Sequence, residues 1–181
     1  MSLADLFLSL LRLIDPRLPA TIVLFSPTDL WKMLVVFVIT AVAVLCVHEL
    51  AHLAALRTLG IPARIMLGGR REESRFWFLS PMVVHIEDQV MATMQPLQIR
   101  LAAASGPIAH LLASLACWCL GLGLPGAAWL GVGVTLCGAM YFVCCMLMNV
   151  VPLPVLKNDG WLVLRPEAAL AEVRRKLGLL D

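Results

Sequence analysis

The sequence predicts an α-helical multi-pass membrane protein: three spans, an N-terminal interfacial helix, and a small β-hairpin or sheet between spans one and two. Three observations carry that expectation. Of 181 residues, 61% are hydrophobic and only 14% charged, whereas a soluble domain is about half apolar with about a quarter of its residues charged. Apolar runs at residues 33–56, 101–124 and 127–151 are each long enough to cross a hydrocarbon core of about 30 Å at about 1.5 Å per residue. The second and third runs contain no Asp, Glu, Lys or Arg. Composition also excludes other classes. Fourteen Lys plus Arg against twelve Asp plus Glu leave a net charge of +2, too weak a basic field for a nucleic-acid partner. The apolar content excludes disorder. The length allows one membrane domain and no large soluble appendage.

Residues 1–25 form the expected interfacial amphipathic segment. Ser2, Asp5, Ser9, Arg12 and Asp15 recur every three or four residues and line one polar stripe, with Leu, Phe and Ile elsewhere. Packing against the protein's own surface is the alternative. Pro16 and Pro19 end the segment, and Asp5 with Arg12 argues against a secretory signal. Ser26-Pro27-Thr28-Asp29 then supplies an N-cap, a proline at the first helical position and an acidic third residue, announcing the helix of span one. Trp31 stands where an interfacial anchor belongs.

A polar excursion follows at residues 58–100, with Arg64, Arg70, Arg71, Arg75 and Arg100. Within it, residues 63–67 and 75–86 are rich in aliphatic and aromatic side chains and are separated by Gly68-Gly69, which predicts a hairpin or small sheet. A short Gly-Leu-Pro-Gly connection makes spans two and three an antiparallel pair. Residues 163–181 close the chain as a surface helix beyond a 26–162 core, with Arg174, Arg175 and Lys176 near its end. The segments after spans one and three hold most of the positive charge and are expected to be cytoplasmic. The six cysteines all fall in apolar segments and read as small buried hydrophobes, a thiolate metal site or redox pair being the alternative.

The chemistry concentrates at His48-Glu49-Leu50-Ala51-His52. Residues four apart share a helical face, so both imidazoles can converge on one Zn²⁺, with Glu49 placed to reach a water. Ionisable residues inside a span cost about 2.5–3.5 kcal/mol each on insertion scales, which makes them functional candidates. A catalytic zinc usually takes three protein ligands. Asp159 is the natural third, because it follows span three directly on the cytoplasmic side. Pro152 and Pro154 must interrupt the helix before it, leaving irregular backbone beside the metal for a peptide and water to enter. His110 is the one plainly ionisable side chain in spans two and three besides thiols and Tyr141, whereas His85 in the hairpin region is read as non-catalytic.

These residues resemble the site-2 proteases, a family of intramembrane zinc metalloproteases. The resemblance covers roughly residues 33–162 and rests on three motifs in order. HELAH at 48–52 is similar to the family's HExxH, in which the histidines bind zinc and the glutamate is the general base. Asn149, Pro152 and Asp159-Gly160 are similar to its Asn-x-x-Pro…Asp-Gly element, whose aspartate is the third ligand. Ser105-Gly106-Pro107-Ile108-Ala109-His110 is similar to its Gly-Pro-x-x-Asn element. Two departures stand out: the Asn149-to-Asp159 interval is two residues longer than usual, and His110 replaces an asparagine that holds or polarises substrate.

The resemblance implies a zinc endopeptidase with one Zn²⁺ per chain, bound by His48, His52 and Asp159. Glu49 would be the base, with His110, Asn149 and Pro152 in substrate-binding or supporting positions. It implies a transmembrane protein or peptide as substrate, cleaved in or near its membrane segment and held extended along an edge within residues 75–86. The expected location is a bacterial cytoplasmic (inner) membrane, with the lipid bilayer as partner and the active site toward the cytoplasm. No PDZ or CBS segment is recognisable, so a regulatory membrane partner, or a first cut elsewhere in the substrate, is expected to gate cleavage. The alternative is a catalytically inactive, membrane-protein-binding homologue with a structural metal. A metal carrier or channel would spread ionisable residues through the spans, whereas here they cluster at one depth.

Overall fold

The computed structural model describes residues 9, 12–16, 26–67, 82–124, 128–154 and 157–180. Most of the expected interfacial segment, Arg70, Arg71, Arg75, residues 75–81 of the expected second strand and the connection at 125–127 lie outside them.

Helix α1 runs from Pro27 to Thr58. Its start is closed reciprocally: the Asp29 N–H donates to Ser26 Oγ at 3.2 Å, and the Ser26 N–H and hydroxyl donate to Asp29 Oδ2 at 3.3 and 2.7 Å. This satisfies donors that no helical carbonyl can reach. Strands β1 (Arg64–Leu67) and β2 (Met82–His85) pair antiparallel, with Arg64 opposite His85 and Leu67 opposite Met82. The expected hairpin is therefore present with a shorter second strand among the described residues. Helix α2 (Asp88–Thr93), which the sequence pattern did not suggest, leads into α3 (Pro96–Gly123). Helix α4 (Ala128–Cys145) ends in a π turn over Met146–Val150, closed by the Val151 N–H on the Met146 carbonyl at 2.9 Å.

The C-terminal segment differs from the single surface helix expected over residues 163–181. It begins earlier and is two helices, α5 (Asp159–Leu164) and α6 (Pro166–Lys176). Pro166 explains the break, because it has no N–H to continue α5 and is well placed in the first turn of α6.

Three helices are long and apolar enough to cross a membrane: Pro27–Thr58, Pro96–Gly123 and Leu130–Val150. Large aliphatic side chains such as Val38, Ile39 and Val42 are more than half exposed on α1. An apolar surface of that kind is compatible with lipid and would be a liability in water.

The chain divides into two compact units, each discontinuous in sequence. The first joins Met1–Val44 to Leu111–Cys144. Val44, Val132 and Cys137 are buried here, the Phe37 and Tyr141 rings lie 5.5 Å apart, and Trp118 Nε1 donates to the Ile14 carbonyl at 2.9 Å. Within it α3 and α4 meet closely at Gly138, where a Cβ would fall onto the backbone of Ser114 and Trp118. Small residues at such crossings let helices gain van der Waals contact when lipid offers no hydrophobic drive.

The second unit joins Leu45–His110 to Cys145–Asp181. Its core is Leu56, Ile61, Met94, Ile99, Ala102 and Leu170, against which Val84 and Val90 pack. Arg174 Nε donates to the Ala92 carbonyl at 3.0 Å, tying α6 to α2, and Lys176 pairs with Asp88 at 2.7 Å. The ion pair is exposed and contributes little by itself.

Gly138→Ala should destabilise the protein by roughly 1–3 kcal/mol, the usual range for forcing atoms into a filled interface. A lowered thermal midpoint in detergent, set against an alanine substitution at exposed Val38, is the measurement.

Candidate metal centre

The second unit brings together three side chains that the sequence singled out. His48 and His52, one helical turn apart on α1, direct their Nε2 atoms at each other across 3.1 Å. Asp159, the first residue of α5, places Oδ2 3.2 Å from His48 Nε2 and 3.4 Å from His52 Nε2. Two bonds of about 2.0–2.1 Å meeting at a tetrahedral angle separate their ligand atoms by about 3.3 Å. All three edges of the observed triangle match that value, so the donor set fits a small tetrahedral cation. The side chains are 8%, 12% and 18% exposed, which leaves the carboxylate dependent on its partners rather than on water. A group of His48, His52 and Asp159 of this kind could bind a metal ion.

The supporting contacts orient the ligands. His52 Nδ1 donates to the Ala102 carbonyl of α3 at 2.7 Å. That holds a proton on Nδ1, so that on binding a metal the ring would present its Nε2 lone pair to the ion. Gly106, one turn further along α3, is where the His52 ring lies; a Cβ there would occupy the ring itself. Near Asp159, Gly160 serves a similar end, since a Cβ on it would strike the Val150 carbonyl at the end of the π turn. Burial works to raise the Asp159 carboxyl. Hydrogen bonds from His48 and His52, and their charges, outweigh it and hold the group below its ordinary value.

Glu49 shares a cavity with the triangle. Together with the three ligand residues it lines a cavity of about 270 Å³ walled by Val83, Val84 and other apolar side chains. The Val84 N–H of β2 donates to Glu49 Oε2 at 3.0 Å, so the strand edge facing this cavity is aligned with the carboxylate. The other expected site residues are placed as follows. Asn149, in the π turn, lines the same cavity and donates weakly to Cys145 Sγ at 3.9 Å. His110 is buried, with its ring set edge-on to His48 at 5.5 Å between centroids, but it is not one of the three converging residues. Pro152 is exposed and does not line the cavity. His85 lies on β2 opposite Arg64, outside it.

Sequence reasoning missed Asn158, which also lines the cavity and caps α5 by accepting the Trp161 N–H at 3.1 Å. A signal was present, because Asn is among the strongest N-cap residues and here precedes an acidic first turn. It missed the Ala102 carbonyl and the Val84 N–H too, since backbone groups leave no mark in side-chain patterns.

No protein-family model, no curated protein and no solved structure matches this chain.

Two outcomes test the centre. Gly106→Ala should weaken zinc binding about 10- to 100-fold by displacing the His52 ring, an effect of the size seen when ligand-orienting groups are lost. Asp159→Ala should abolish stoichiometric zinc in the purified protein, read by elemental analysis; a full complement of zinc in that variant would transfer the third-ligand role to His110.

Proposed function

We propose that the protein is an intramembrane zinc metalloprotease of the site-2 protease type, hydrolysing a peptide bond in or near a transmembrane segment of a membrane-protein substrate. The observation that carries this reading is the convergence of His48, His52 and Asp159 on one point, with Glu49 in the same cavity. A purely structural metal site needs no carboxylate beside it. Helix α1, which bears His48, Glu49 and His52, is long and apolar enough to span a bilayer, which supports a substrate presented within the membrane.

When bound, zinc would supply Lewis acidity and lower the pKa of an adjacent water toward about 7. The chain's own residues do the rest. Glu49 takes the proton of the attacking water and returns it to the leaving amine, a role that general bases perform with effects of about 10²- to 10⁴-fold. The apolar walls formed by Val83, Val84, Ile86 and Met94 exclude competing water from the peptide. A helical substrate hides its carbonyls in its own hydrogen bonds, so it must unwind to react. The β2 edge beside Glu49 would pair with the extended segment at positions other than Val84, whose N–H holds Glu49. The active site would face the cytoplasm of a bacterial inner membrane, following the charge of the segments that flank the spans.

Glu49→Gln should retain zinc and lose cleavage of a co-expressed membrane substrate by at least about 10²-fold. Unchanged cleavage in this variant would overturn the protease reading and favour a metal-stabilised binding protein.

A further inference from the structure

We infer that Asn158 is a positioning residue for the metal centre: its amide locks the first turn of α5, and with it Asp159, onto the end of α4. The inference rests on the metal-binding reading of His48, His52 and Asp159, and extends it to a residue outside the ligand set.

The end of α4 has a defined defect. Pro152 has no N–H, so the Met148 carbonyl, four residues earlier, lacks the donor that a continuing helix would supply. Asn158 Nδ2 supplies it, donating to the Met148 carbonyl and also to the Val151 carbonyl at 2.7 Å. Its Oδ1 meanwhile accepts from the Leu153 N–H at 3.0 Å and the Trp161 N–H at 3.1 Å. Asparagine has two donor hydrogens and two acceptor lone pairs, and all four are used. The amide orientation follows from the partners, since both Nδ2 partners are carbonyls and both Oδ1 partners are N–H groups.

The consequence for Asp159 is geometric. One side chain bonds the π turn, the proline-containing exit and the first turn of α5, and Asp159 is the next residue in the chain. Gly160 completes the fit, because its missing Cβ lets α5 approach the Val150 carbonyl. The two residues by which this interval exceeds the related motif need accommodation in the same place. Lys157 adopts φ +47°, a left-handed conformation uncommon for a non-glycine residue, and Asn158 follows directly. A local irregularity held by a saturated side-chain network is the expected way to fix a ligand at the first residue of a short helix.

Purified full-length Asn158→Ala and Asn158→Ser, compared with wild type, test the inference with zinc and cobalt ions as probes. Serine can cap α5 but cannot reach both carbonyls of the α4 end. The expected result is zinc affinity lowered about 10- to 100-fold in Asn158→Ala and by a smaller factor in Asn158→Ser, with altered cobalt d–d absorption. If the alanine variant does not fold, the serine variant decides. Wild-type affinity and spectrum in the folded variants, even with a lower melting point for the metal-free protein, would make Asn158 merely structural and overturn the inference. Failure of wild type itself to bind either ion would instead overturn the underlying metal reading.

Discussion

Two imidazole nitrogens and a carboxylate oxygen share a triangle with edges of 3.1, 3.2 and 3.4 Å, although the carboxylate comes from a part of the sequence distant from the two histidines. Meeting that requirement constrains much of the second unit. The His52 ring needs an acceptor and a vacancy, and α3 provides both in the Ala102 carbonyl and Gly106. Asp159 needs α5 pressed against the end of α4, which the missing side chain of Gly160 permits. Glu49 needs a partner that keeps it beside the cavity, and the Val84 N–H on β2 serves. Each contact joins a different element to the same few cubic ångströms. The small sheet and the short helices are therefore better understood as supports of one point than as independent folding units.

Electrostatics reinforces that constraint. A carboxylate only 18% exposed in an apolar chain is costly unless partnered, and the two imidazoles are its partners. The imidazoles are themselves buried, with His48 Nδ1 lacking a hydrogen-bond partner among the described residues. The converging atoms are the two Nε2 nitrogens and Asp159 Oδ2, which concentrate lone pairs on one region when the imidazoles are neutral. This is the physical sense in which the donor set suits a metal better than it suits water.

Much of this was legible in the sequence, and what was not has identifiable causes. His48 and His52 stand out because a four-residue spacing is a local property of a helix, and Asp159 because charge near the spans is scarce. The start of α1 was legible at Ser26 and Asp29, whose reciprocal bonds span only three residues. The hairpin was visible in composition; Met82–His85 is strand, and residues 75–81 of the expected second run lie outside the described residues. The π turn was not visible, because its extra residue is decided by the prolines and by what packs after them. Asn158 escaped for a similar reason: two of its partners are carbonyls seven and ten residues away, and no periodicity connects them. The divided C-terminal helix could have been read from Pro166.

The division of the ligands between α1 and α5 also orders events in time. Asp159 is synthesised 107 residues after His52. At a ribosomal pace of about 5–20 residues per second, that interval lasts about 5–20 s. Throughout it the nascent chain carries both imidazoles and the glutamate but only part of a coordination sphere. A chain interrupted before residue 159 would lack one of the three donors, whatever its first helix contained. Translation order thus withholds the complete donor set until α5, the last element to supply a donor, has been made.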